Sequence, residues 1–150
     1  HPVEAVPDTT VPHRPDTFYG LTKTFVEDLA SLYWDKFGLE SVCLRICSCF
    51  PEPRDRRMLW SWLSFADCVR LAEAALTAPR VGFSVVYGTS DNAAAAVSNA
   101  KASHIGFRPQ DSADGFAPAL LARTERPDPA EVATRVVGGG FAATPHPDDA

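Results

Sequence analysis

Residues 16–46 read DTFYGLTKTFVEDLASLYWDKFGLESVCLRI, and their reading decides the fold. Phe18, Leu21, Phe25, Leu29, Leu32 and Tyr33 recur with the 3.6-residue period of an amphipathic helix, so the spacing predicts a helix over 16–37. Asp16 or Thr17 can cap its start, Pro15 stands just before the cap, and Gly38 sits where a left-handed residue closes a helix. Ser41–Ile46 then forms a short, nearly unbroken apolar run. An apolar strand directly after a helix points to a parallel sheet with both faces covered.

Upstream, residues 1–15 carry four prolines and no periodicity, and read as loop. Downstream, 50–58 (FPEPRDRRM) is loop by its prolines and charge, and 59–63 fits no single pattern. Ser64-Phe-Ala-Asp67 opens a second helix in the form of a capping box, running to about Thr77 before Pro79. Val81–Tyr87 reads as a second strand closed by Gly88, and the alanine-rich 92–102 as a helix. From Arg123 on, prolines, the Gly138–Gly140 run and an acidic end predict a flexible tail that cannot offset its ordering entropy. Strands alternating with helices give an α/β class. The expected division is 1–15 as loop, 16–122 as one incomplete α/β domain, and 123–150 as tail. There are no internal repeats.

The 150 residues are 45% hydrophobic and 22% charged with a net charge of −5, a globular composition with room for one core. The acidic balance argues against nucleic acid or an anionic membrane as partner, because nothing supplies a phosphate-neutralising field. No apolar run reaches the roughly 18 residues of a membrane helix. The opening His1-Pro2-Val3-Glu4 lacks the basic and apolar regions of a secretory leader. Cys43, Cys47 and Cys49 share one strand parity and stand in a row, whereas a zinc site draws on converging pairs. They and Cys68 read as reduced thiols used as small apolar groups, with no metal, in a cytoplasmic setting.

Two groupings could carry chemistry. Tyr19 and Lys23 lie one turn apart on the first helix. A phenol ionises too late to be a base at neutral pH unless a nearby cation favours the phenolate, which makes Tyr–Lys a sound acid/base pair. By itself the spacing fits a surface lysine beside a half-buried tyrosine equally well. Arg54, Arg56 and Arg57 form the second grouping, with a solvated loop as the plain alternative. His1, His13, His104 and His146 are scattered and suggest no triad; His104 is expected to be structural.

In context the chain resembles the short-chain dehydrogenase/reductase superfamily: Tyr-x-x-x-Lys opens a twenty-residue helix that runs into a parallel strand. The order of 14–16 (RPD), 33–38 (YWDKFG), 44–59 (LRICSCFPEPRDRRML), 86–88 (VYG) and 105–109 (IGFRP) is similar to the uronate dehydrogenases of its extended, epimerase/dehydratase-like branch. The similarity covers residues 11–116 and implies that 16–122 are the C-terminal part of an NAD(P)-binding, Rossmann-like parallel-sheet domain with a small substrate-binding part. It implies Tyr19 as general base and Lys23 as the lysine that holds the nicotinamide ribose of NAD and lowers the tyrosine pKa. It further implies Ser48 touching a sugar acid, Cys49 lining the nicotinamide pocket and Arg57 gripping the carboxylate, a task suited to a planar fork.

The implied reaction oxidises galacturonate or glucuronate at C1 to an aldarolactone. Two departures stand out: Cys47 where the family commonly has glycine, and Ala93–Ala96 where it carries tryptophans. The glycine-rich turn that binds a dinucleotide pyrophosphate is not in these residues, nor is the family's catalytic serine. The expectation is therefore an N-terminally truncated chain, inactive alone. A nucleotide-sugar epimerase or dehydratase and a non-catalytic dinucleotide-binding protein are the alternatives. Homo-oligomerisation, the preferred uronic acid and NAD against NADP are left open.

Overall fold

The computed structural model describes residues 2–3 and 8–143. The acidic end Asp148–Asp149, His1 and His146 lie outside the described residues, as do parts of the expected loop and tail. In chain order the elements are α1 (Phe18–Phe37), β1 (Ser41–Ile46), β2 (Ser48–Cys49), α2 (Met58–Ser61), β3 (Trp62–Leu63), α3 (Phe65–Thr77), β4 (Phe83–Gly88), α4 (Ala117–Arg123) and α5 (Val132–Arg135). Single 3-10 turns occupy Ala100–Ile105, Asp114–Phe116 and Gly139–Phe141.

Both strand pairs are parallel, in keeping with an α/β class. β1 runs beside β4, with Ser41 opposite Phe83 and Ile46 opposite Gly88. β2 runs beside β3, with Ser48 opposite Trp62 and Cys49 opposite Leu63. Thr17 caps α1 by accepting from the Gly20 N–H at 2.9 Å, and Gly38 closes it with φ 65°. Ser64 caps α3 through the Asp67 N–H at 2.9 Å, as the Ser-x-x-Asp pattern predicts.

The core lies between α3, β4 and the Ala100–Ile105 turn, where Leu63, Leu71, Val86, Ala102, Ile105 and Phe107 are buried together. Burying each of the larger ones is worth about 2 kcal/mol. Gly88 is fixed by this packing, since a Cβ there would stand 2.3 Å from Leu71 Cδ2. Beneath the core, Asp67 is fully buried. Its carboxylate accepts from the Gln110 N–H at 2.8 Å, the Ser90 hydroxyl at 2.6 Å, the Asp111 N–H at 3.1 Å and Arg70 at 2.5 Å. That set of donors replaces the water a buried carboxylate loses and ties the loop after β4 to α3.

Two expectations change. Residues 92–102 are not a helix until the 3-10 turn at Ala100. Asn92 bonds the Trp62 carbonyl at 2.8 Å and the Ala113 N–H at 2.9 Å, and Asn99 brackets both backbone groups of Thr89. These amides compete with helix formation and pin the alanine run at both ends. β1 is not buried on both faces either. It is half-covered, because β4 is its one strand neighbour among the described residues.

Candidate active site

The parallel register of β2 on β3 sets Ser48 beside the end of α2. Ser48 Oγ and Ser61 Oγ stand 2.9 Å apart, and Arg57 Nη1 donates to both, at 3.0 and 3.3 Å. Ser61 Oγ donates back to the Arg57 carbonyl at 3.1 Å. Both serines are buried, Ser48 to 5% exposure and Ser61 to none. Arg57 Nη2 donates to the Val137 carbonyl at 2.7 Å, and its guanidinium lies 4.8 Å from the Trp60 ring centroid. Its Nε is buried and has no hydrogen-bond partner among the described residues. Gly139, at φ 60°, approaches so closely that a Cβ would fall 2.7 Å from that Nε; only glycine combines this backbone with this contact.

The other two arginines of the cluster do different work. Arg56 donates to the Leu121 and Thr124 carbonyls at 3.0 and 2.6 Å, satisfying the C-terminal end of α4. Arg54 lies over the Phe50 ring at 4.5 Å. Of the three, Arg57 is the one joined to Ser48.

Tyr19 and Lys23 occupy the first turns of α1. Lys23 Nζ is 5.0 Å from the centre of the Tyr19 ring, and the Phe141 ring stacks with the same tyrosine at 5.8 Å and 20°. With Val42–Cys47 of the neighbouring strand they line an open cleft of about 630 Å³. Lys23 forms no salt bridge among the described residues. In the wall of the cleft, Glu27 accepts a two-pronged contact from Arg45 at 2.8 and 2.7 Å and a third from His13 at 2.8 Å. Burial alone would raise the Glu27 carboxyl, but the Arg45 guanidinium and His13 outweigh it and hold it below its ordinary range.

Cys49 packs on the core with Cys68. Burial, reinforced by its Cys68 neighbour, pushes the Cys49 thiol up to about 11. Burial also raises Cys47, with the Arg57 charge opposing it, and both thiols are neutral near pH 7. Among the described residues no cluster of three potential metal ligands occurs. His104 bonds Ser84 at 3.1 Å and the Lys101 carbonyl.

The structure thus joins Ser48 to Arg57 and Tyr19 to Lys23. A segment that the sequence leaves featureless touches both pairs: Val137 and Gly139 meet Arg57, and Phe141 meets Tyr19. Ser61 and Phe141 are the residues the sequence reading misses. Ser61 has a faint signal, lying four after Arg57 on one helical turn; Phe141 has none, being 122 positions from Tyr19.

Compared with known proteins, the chain is homologous to dehydrogenases of sugars and sugar acids, including an L-arabinose 1-dehydrogenase of Haloferax volcanii, 32% identical over 116 residues. Uronate dehydrogenases are among those relatives. The Pseudomonas putida enzyme is 45% identical over 137 residues, covering 90% of this chain and 50% of that enzyme. A glucuronic acid dehydrogenase from Chromohalobacter salexigens matches in structure with a TM-score of 0.94 at 45% identity, over 100% of this chain and 56% of that one. The uronate dehydrogenase of Agrobacterium tumefaciens, a mutant of which is solved in complex with NAD, matches at 0.91 and 41%, over 97% and 55%. The chain spans about half the length of the curated relatives it matches. No family model matches it.

Proposed function

We propose that the protein carrying this chain oxidises a hexuronic acid at C1 to the aldarolactone. The supporting observation is that one segment, 137–141, closes on both a Tyr–Lys pair and a Ser–Arg pair at the C-terminal end of a parallel strand, where ligands bind in open α/β sheets. Tyr19 takes the proton of the C1 hydroxyl. Lys23, unspent on any described carboxylate, holds the charge of the phenolate and the ribose hydroxyls of a nicotinamide cofactor. Arg57 neutralises the substrate carboxylate and Ser48 meets the sugar. Cys49, a neutral thiol, serves as an apolar wall rather than a nucleophile. Bound NAD supplies the acceptor for the hydride that leaves C1 as the C1–O bond becomes a lactone carbonyl.

These residues suit the nicotinamide end of that cofactor; the chain has no glycine-rich turn for its pyrophosphate. The test is to express the whole open reading frame that encodes this chain and follow NADH formation with galacturonate and glucuronate. Activity that disappears in Tyr19→Phe supports the proposal. NAD binding without turnover of either acid overturns it in favour of another sugar.

A further inference from the structure

We infer that Ser61 is a positioning residue: it holds the Ser48 proton, so that Ser48 meets the substrate as a hydrogen-bond acceptor and selects a sugar hydroxyl rather than the carboxylate. This rests on the uronate reading above and concerns the same site. A serine hydroxyl has one proton and two acceptor positions. Ser61 Oγ lies 3.1 Å from the Arg57 carbonyl, which can only accept, in the back-bonding geometry of a helical serine toward the residue four before it. The Ser61 proton is therefore committed, and the 2.9 Å contact to Ser48 must carry the proton of Ser48.

Arg57 Nη1, at 3.0 Å, then fills one acceptor position of Ser48. What remains is a single lone pair on the partner that keeps some exposure, since Ser61 has none and Ser48 has 5%. A lone pair attracts a hydroxyl and repels a carboxylate, which leaves the carboxylate to Arg57. Removing the Ser61 hydroxyl frees the Ser48 proton to turn toward the ligand and scrambles this polarity.

The experiment is a double-mutant cycle on the full-length product with galacturonate: wild type, Ser48→Ala, Ser61→Ala and the pair. Ser61→Ala should raise KM about fivefold with kcat changed less than twofold, the size of one net hydrogen bond. In the Ser48→Ala background the same change should have no further effect on KM. Loss of packing would act alike in both backgrounds, so a thermal unfolding shift does not mimic this result. Additive effects, or a fall in kcat with KM unchanged, overturn the role of Ser61 while leaving uronate oxidation intact. A wild type inert toward uronates overturns both readings together.

Discussion

The core that Leu71 of α3 forms with Leu63 and Val86 of the strands, and the apolar stripe of α1, are both built from large hydrophobic residues, yet they end in opposite environments. Leu63, Leu71 and Val86 reach zero exposure, whereas Phe18, Phe25 and Phe37 on α1 remain 66%, 62% and 72% exposed. The one buried residue of α1 is Glu27, held by Arg45 and His13. The side of α1 that turns inward, through Gly20, Thr24, Glu27, Ala30 and Ser31, is small or polar until Trp34 near its C-terminal end. A hydrophobic period therefore says that a helix has a face, and leaves open which face its own chain covers. The contrast also divides the proposed site: Ser48, Ser61 and Arg57 belong to the packed side, Tyr19 and Lys23 to the open one.

The strongest change expected on the open side is chemical. Tyr19→Phe should lower kcat of the full-length product about a thousandfold, some 4 kcal/mol, with NAD affinity retained. Burst kinetics and a cofactor titration on the same preparation check both halves. A loss in NAD binding equal to the loss in rate would assign Tyr19 to cofactor binding instead. On the packed side, Leu71→Ala should cost about 3 kcal/mol, because the cavity it leaves is walled by Val86 and the backbone of Gly88 and cannot collapse freely. Urea unfolding of the chain reads this directly. A cost below about 1 kcal/mol would mean that the core is looser than its burial.

Glu27→Gln tests the polar seam between the two sides. It removes one partner of a half-buried ion pair and should cost about 2 kcal/mol at pH 7. The sign with pH follows from the depressed carboxyl. The folded form holds Glu27 ionised below its ordinary value of 4.5, so this stability is fully present above that pH. It is lost as the pH falls through the lower folded value. The variant should therefore show a flatter acid limb in a plot of unfolding free energy against pH. An unchanged limb would assign the acid sensitivity to other carboxylates.

How much of this was legible in the residues differs by element for physical reasons. α1, the start of α3 and the two longer strands carry local signals: Thr17, Ser64, Gly38 and apolar periods. The nearness of Tyr19 and Lys23 is legible because one turn of helix joins them. Ser48 and Arg57 are singled out separately by the resemblance; their pairing needs the β2–β3 register, which no local pattern encodes. The alanine run misled because Asn92 and Asn99 find distant backbone partners that outweigh alanine's helix propensity. Phe141 and Val137 stayed invisible because a contact made by a glycine-rich segment 80 positions from Arg57 leaves no spacing to read.

The smallest expected effect is the most direct test of the contrast. Phe25→Ser on α1 should change the unfolding free energy of the 150-residue chain by less than about 0.5 kcal/mol, as at an ordinary exposed position. Its ring is 62% exposed and contributes little to the core against which Leu71 packs. The comparison with Leu71→Ala sets an exposed large apolar side chain against a buried one, so the ratio of the two costs shows how unequal the sides are in solution. If Phe25→Ser instead costs more than about 1 kcal/mol, the stripe is covered in solution and the two sides are equally packed. A rise in stability or solubility would have the opposite meaning, since it identifies the stripe as apolar surface that the chain alone holds against water.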